Sequence, residues 1–357
     1  WRYNAAITRG SWSMLKSRNP GFNPLLILDY GNMRYGGGLP EGDAAINAFT
    51  RYVRWITAET SHIVQMYEIW NEWNIGAGSQ PRLRSGSPSA YVKLAQETYK
   101  SIKSVNPKAK VLVGGLGDDL PDWPWLKQAI LFGLLDYADG ISVHLYNHCD
   151  KKNVGADELM TRLDQLRELM VISGKSDLPI YVTEVGWPTD VGKCGLSETR
   201  SALHTLRFLL EASTKPWIGG VWFYEFMDGG DNPQEREHRF GLLRRDGSEK
   251  PSGCIVRELS KVVSTRPRQL IKEKEFSYAV YNGDANDLLI IWSTSENILS
   301  VRELKLLVEK GEILSKQPEL CNTTTGEMVM LANEGGRIFI HGLAPIILNV
   351  SNDFYLK

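Results

Sequence analysis

The chain has almost no excess charge of either sign. Its 41 Lys and Arg stand against 42 Asp and Glu, a net charge of −1. No global basic field is present to draw nucleic acid, so none is expected as a partner, and only a local charged cleft remains open. A run of about 18 apolar residues is missing, so no membrane-spanning helix is expected. Cysteine is scarce, at positions 149, 194, 254 and 321 only. These four form no CxxC or zinc spacing and are too few for a disulfide scaffold. Cys149 and Cys194 follow strands that would be neighbours, and a bridge and free thiols are both open there. The sequence begins at Trp1, without a charged and then apolar leader; any signal peptide is expected to have been removed already, so the missing leader does not settle the compartment. Internal repeats and low-complexity tracts are also lacking.

What is present is an ordinary globular composition, 42% apolar and 23% charged over 357 residues. That length favours two domains. Six short apolar runs end in polar residues: NPLLILDYGN (23–32), VQMYEIWNEWN (64–74), KVLVGGLGDD (110–119), DGISVHLYNH (139–148), LPIYVTEVGW (178–187) and GGVWFYEFMDGG (219–230). Continuous apolar runs of this length mark strands buried on both faces, as in parallel sheets. Amphipathic segments lie between them. Ile46, Phe49, Val53 and Ile56 keep helical spacing, and Ser87-Pro88 opens a second helix carrying Tyr91, Leu94, Thr98 and Ile102. Ser before Pro is an N-cap and first-turn pair. Further helices are expected over about 157–170 and 198–211.

Six βα units imply a parallel sheet, open or closed into a barrel. No Gly-rich phosphate fingerprint follows the first strand, which weakens a nucleotide-binding sheet. Each strand instead ends in reactive or polar groups: Asp29 and Asn32, Asn71 and Glu72, Asp118 and Asp119, His144 and Tyr146, Glu184, then Glu225 and Asp228. Such groups at the C-terminal ends of many parallel strands are the arrangement of a TIM-barrel active site. The fold class expected is therefore α/β, a (β/α)8 barrel over 1–265, with a small β-sandwich over 268–357. Residues 1–20 read as a helix, so the first two βα units are expected upstream of this chain. The stretch 296–310 is ambiguous between helix and strand.

Glu72 and Glu184 are then two carboxylates at strand ends. Facing one cleft, they suit glycosidic-bond cleavage: one protonates the leaving oxygen while the other attacks the anomeric carbon or activates water. Aromatic walls such as Trp73 would raise the acid's pKa by desolvation. Tyr146 is placed to give the other carboxylate a hydrogen bond. Glu68 shares the strand face of Glu72 and is read as a deeper structural group, paired to a basic partner.

WNEWN (70–74) followed by TEVGWPT (183–189) resembles the glycoside hydrolases of clan A, and the Glu pair lies 112 residues apart. HLYNH (144–148) resembles the clan's strand-six His-x-Tyr, and VWFYEFMDGG with HRFGLLRRDGSEKPS resembles its last strand and following loop. LLILDYGN and the small β domain look most like family 39 and its relatives that cut bacterial exopolysaccharides. The resemblance implies Glu72 as acid/base, Glu184 as nucleophile and Asn71 as donor to a sugar hydroxyl. It implies His144, Tyr146, Trp187, Trp222, Asn32 and Trp73 as substrate contacts or walls of the site. It implies retention of configuration, with carboxyls about 5–5.5 Å apart. The clan's second strand usually brings an Arg that braces the nucleophile, and that strand is one of the two expected upstream of this chain.

The substrate expected is a polysaccharide or oligosaccharide, cut in endo mode because GLPEGD, RLRSGSPS and DDLPDWPW read as long loops framing a groove. A non-catalytic carbohydrate-binding barrel and a family 5-like endoglucanase or mannanase are the alternatives. No metal and no cofactor is implied. The expected compartment is periplasmic or extracellular. Arg34, Arg82, Arg84, Lys151 and Lys152 permit an acidic polymer without requiring one. Asp118, Asp119 and Asp122 read as solvated loop charges. His144 is open between a core histidine and a substrate contact, and Trp123 and Trp125 between core and sugar stacking.

Overall fold

The computed structural model describes residues 21–79, 85–120, 122–150, 154–273, 276–283, 286–293, 300–310, 313–316, 329–333, 337–343 and 346–356. The helix expected over 1–20 lies outside them. The chain divides into two compact units. The first holds 1–145, 162–185 and 217–222, and the second holds 146–161, 186–216 and 223–357.

Six strands form one sheet in sequence order: β1 (Leu25–Leu28), β2 (Met66–Ile69), β3 (Lys110–Leu116), β4 (Gly140–Leu145), β5 (Ile180–Val185) and β6 (Ile218–Phe223). The registers of β1 through β5 are all parallel. Six helices follow the six strands in turn: α1 (Asp43–Thr60), α2 (Pro88–Val105), α3 (Pro124–Leu131), α4 (Ala156–Ile172), α5 (Glu198–Ser213) and α6 (Pro251–Val263). The alternation expected from the sequence is present as an α/β fold with six parallel strands.

The inner strands β3 and β4 are buried on both faces, which is why their sequences run apolar without alternation. The edge strands β1 and β6 are largely half-buried. Ser87 caps α2 as its sequence suggests, its Oγ accepting from the Ala90 N–H at 3.4 Å, with Pro88 in the first turn. Helix α3 begins at Pro124, in the last two residues of DDLPDWPW (118–125), where a loop was expected. Asp119 explains it: its carboxylate accepts from the Trp125 and Leu126 N–H groups at 3.0 and 2.9 Å. Asp119 is thus a buried cap, not a solvated loop charge.

Two features shape the C-terminal end of the first sheet. Tyr91 of α2 donates to the Ile69 carbonyl at 2.9 Å and accepts from the Gly114 N–H at 2.7 Å, tying β2 to β3. Between Val113 and Leu116 the β3–β4 register shifts. Gly114 (φ +117°) and Gly115 (φ +48°) sit in that bulge, and a Cβ on Gly114 would lie 2.4 Å from the Ser142 carbonyl oxygen. Glycine is required there on both counts.

The second unit contains two antiparallel sheets. One joins β7 (Gln269–Lys272), β8 (Phe276–Tyr281), β9 (Asp287–Ser293), β11 (Ile313–Lys316) and β14 (Ile346–Val350). The other joins β10 (Ser300–Lys310), β12 (Val329–Asn333), β13 (Arg337–Leu343) and β15 (Tyr355–Leu356). The ambiguous 296–310 stretch is therefore a strand from Ser300 onward. Its core runs from Leu206, Leu210, Ile255 and Leu259 on α5 and α6 to Tyr281, Ile290, Trp292 and Ile347 on the first of these sheets. Cys149 and Cys194 are bridged, and Cys254 is also disulfide-bonded.

Candidate active site

Glu72 does not continue the strand that leads to it. Trp70 (φ 66°) and Glu72 (φ 48°) both occupy the left-handed region, where non-glycine residues are uncommon and the backbone is strained. The turn persists because its surroundings hold it. The Glu72 N–H donates to the Gly115 carbonyl at 2.7 Å, and the Glu72 carbonyl accepts from the Ile75 and Ala77 N–H groups at 3.1 Å. Asn74 clamps the turn to the end of β3, donating to the Gly117 carbonyl at 3.2 Å and accepting from the Gly117 N–H at 3.0 Å. Behind the turn Trp73 packs edge-on against Trp70 and tilted against Tyr91, with centroids 5.5 and 5.6 Å apart.

On the other side of the sheet, the β4–β5 register makes His144 and Glu184 partners. His144 thereby stands between the two acids. Its Nδ1 lies 3.2 Å from Glu72 Oε1 and 3.5 Å from Glu184 Oε2. Glu72 and Glu184 expose about a fifth of their side chains, 21% and 20%, whereas His144 is sealed at 0%. One oxygen of Glu72 and one of Glu184 lie within 4.8 Å of each other. Gly117 forms part of the wall: a Cβ there would meet Glu72 Cδ and Oε1 at 3.2 Å.

Glu68 lies beneath, fully buried, with Oε1 3.7 Å from His144 Nε2. At that distance the contact is electrostatic and not a hydrogen bond. Burial disfavours the imidazolium, but Glu68 and Glu72 outweigh it and raise His144 to about 10. Asp29, after β1, has its carboxyl pushed up to about 6, first by burial and then by the charges of Glu68 and Glu184. Tyr30 beside it is raised to about 12 by burial and the Asp29 charge.

The expected site residues thus separate. Glu72, Glu184 and His144 come together. Asn71 stands at the same turn, but its Nδ2 donates to the Tyr30 hydroxyl at 2.6 Å while its Oδ1 is buried without a partner. Trp73 is fully buried in the aromatic cluster, its Nε1 donating to the Ser87 carbonyl. A sealed ring offers no face to a sugar, so Trp73 is packing behind the turn. The same holds for Trp187 in the second unit, which is 3% exposed, packs on His204 and Phe208, and donates to Asn147 Oδ1. Trp123 and Trp125 are buried as well, on the core side of the alternatives.

Asn32 caps the short helix Met33–Tyr35, accepting from the Arg34 N–H at 2.9 Å. Trp222 is half-buried against Tyr181, with centroids 6.3 Å apart. Tyr146, in the second unit, sits in a cluster with His148, Tyr224 and Phe240. Arg34 is exposed, and Arg82, Arg84, Lys151 and Lys152 lie outside the described residues. Tyr30, Asn74, Gly115 and Gly117 were not singled out from the sequence. Asn74 inside WNEWN and the glycines of VGGLG were the available signals.

No family model matches the chain, and no curated protein matches it. Solved structures do. A family 39 glycoside hydrolase from the gut symbiont Bacteroides cellulosilyticus WH2 is similar with a TM-score of 0.68 and 21% identity, over 95% of this chain and 70% of that one. A monomeric beta-xylosidase from Caulobacter crescentus CB15 is similar with a TM-score of 0.62 and 13% identity, over 95% and 84%. The catalytic domain of GH30 xylanase C from Talaromyces cellulolyticus is similar with a TM-score of 0.53 and 12% identity, over 88% and 67%. The fold of this chain is the one shared by these clan A glycoside hydrolases, and most like that of family 39.

Proposed function

We propose that this protein is a retaining glycoside hydrolase with Glu72 as acid/base and Glu184 as nucleophile. The observation that carries the reading is the close approach of the two half-open carboxylates, whose nearest oxygens lie within 4.8 Å. Oxygens that close suit a retaining pair, whose carboxyl groups stand about 5–5.5 Å apart for direct attack on the anomeric carbon, better than an inverting pair held roughly 6.5–9.5 Å apart around a water. In the first step Glu184 forms the glycosyl bond while Glu72 delivers its proton to the leaving oxygen. In the second, Glu72 takes a proton from water, which displaces Glu184 with net retention. Carboxylates and a histidine suffice for this chemistry, with no metal or cofactor in the scheme.

The substrate proposed is a polysaccharide, cut in endo mode, of the bacterial exopolysaccharide class. The complete barrel would carry eight strands. A periplasmic or extracellular site of action is supported by the Cys149–Cys194 bridge, since such bonds persist in oxidising compartments. The structural neighbour described as a beta-xylosidase makes a β-xyloside the first small probe.

The test is hydrolysis of p-nitrophenyl β-D-xylopyranoside and a panel of β-linked polysaccharides by wild type, Glu72→Gln and Glu184→Gln, with NMR of the anomeric product. Turnover in the wild type, its loss in both variants and retained configuration are expected. Inverted product would reject the mechanism. Binding of a glycan without cleavage would favour the carbohydrate-binding alternative.

A further inference from the structure

The retaining scheme uses Glu72 and Glu184 but leaves Glu68 unexplained. Glu68 is fully buried, and neither of its carboxylate oxygens has a hydrogen-bond partner. A carboxylate sealed from water without a partner costs several kcal/mol, so it must be neutral or face a cation. Among the described residues, its ion-pair contact is His144, 3.7 Å away. The β3 bulge makes the room: a Cβ on Gly115 would lie 3.3 Å from Glu68 Cδ. Among the described residues, the other charges that act on this cluster come from acids. Asp29 follows β1, Glu72 follows β2 and Glu184 ends β5.

We infer that Glu68 is a positioning residue that keeps His144 as an imidazolium, so that its Nδ1–H is a fixed donor at the gap between Glu72 and Glu184. The inference rests on the proposed roles of those two acids. A neutral His144 protonated on Nε2 would present a lone pair at Nδ1. Glu72, 3.2 Å away, would then give its proton to the ring and not to the leaving group. With the imidazolium, both ring nitrogens carry a proton, and Nδ1 has no lone pair to receive the one on Glu72. The buried Glu68 charge balances the ring, so the pair beneath the acids is neutral overall. Glu72 and Glu184 are left to share one proton, as a retaining pair must before attack.

The state of His144 is read by NMR of the ring nitrogens in histidine-labelled full-length protein, with the signal assigned among the six histidines by a His144→Gln variant. At about pH 8, well above the ordinary value of about 6.5, wild-type His144 is expected to remain an imidazolium. In Glu68→Gln the ring is expected to become neutral at that pH. Neutral His144 in the wild type overturns the inference, as does a titration unchanged by Glu68→Gln.

Kinetics give a second readout that a structural role would not produce. On p-nitrophenyl β-D-xylopyranoside, Glu68→Gln is expected to lower kcat by at least about tenfold with KM nearly unchanged, and to move the alkaline limb of the profile to lower pH. Glu68→Asp should restore part of kcat, and a Glu68→Gln enzyme with wild-type kcat overturns the inference. If Glu68→Gln does not fold, the wild-type spectrum still decides. If the wild type hydrolyses none of the panel, the glycosidase reading fails while the nitrogen spectra report separately on the Glu68–His144 pair.

Discussion

Two buried carboxylates in this molecule are treated in opposite ways. In the second unit, Asp228 meets Lys250 Nζ at 2.7 Å and accepts from the Gly241 N–H at 2.9 Å. Lys250 spends its other donors on Thr189 Oγ1 and the Arg239 carbonyl at 3.0 and 3.2 Å. In the first unit, Glu68 has a 3.7 Å approach from a histidine and no hydrogen bond. The first arrangement ties loops together with short, directed bonds. The second leaves its charge available to act on a neighbour. A buried acid with a well-bonded cation is therefore a clamp, and one with an incomplete partner set is a candidate part of the chemistry.

The contrast breaks most sharply if substitutions in the two places have the same consequence. The largest effect expected is on turnover: Glu184→Gln and Glu72→Gln should each lower kcat by ~10³-fold or more, with the melting temperature held near wild type. Initial rates and a thermal melt on one sample check both halves.

Lys250→Met should do the reverse. It leaves the buried Asp228 with only the 3.6 Å approach of Arg239 and should cost about 3 kcal/mol of stability, read from urea denaturation. Reducing Cys149–Cys194, which closes a loop of 45 residues, should likewise act on stability, by about 4 kcal/mol in the loop-closure picture. A smaller effect is expected at Gly117→Ala, where the added Cβ presses on Glu72 and Ile75. A shift of the acid by a fraction of an ångström should lower kcat by about tenfold with the fold retained.

The smallest effect is a pH dependence. Asp29 has an ordinary value of 3.8 and is raised to about 6 in the folded protein. Between those values the unfolded chain has released a proton that the folded chain keeps. Its contribution is fully present below 3.8 and is lost as pH rises through about 6. Asp29→Asn should flatten that decline, as measured by urea midpoints across the window. An unaltered pH slope would show that Asp29 titrates normally.

The alternation of apolar runs with amphipathic stretches made the six βα units legible, because burial on both faces and helical periodicity each leave a distinct pattern. The pairing of Asn71-Glu72 with Glu184 was legible for the same reason: both follow apolar runs. The role of Asp119 was not, since a capping acid and a solvated one look alike until the helix behind it is seen. Nor was the sealing of Trp73 and Trp187, because an aromatic at a strand end packs inward or outward according to neighbours far away in sequence.

By itself, the sequence determined which residues are strands and helices over most of the first 265 positions, and which two acids end strands, since both are local consequences of residue type and spacing. Only the tertiary structure decided that His144 stands between those acids and Glu68 beneath them. That arrangement depends on the β4–β5 register, the glycine bulge in β3 and the left-handed turn at Glu72. These are contacts between segments 27 to 112 residues apart in the chain, and no local pattern encodes them.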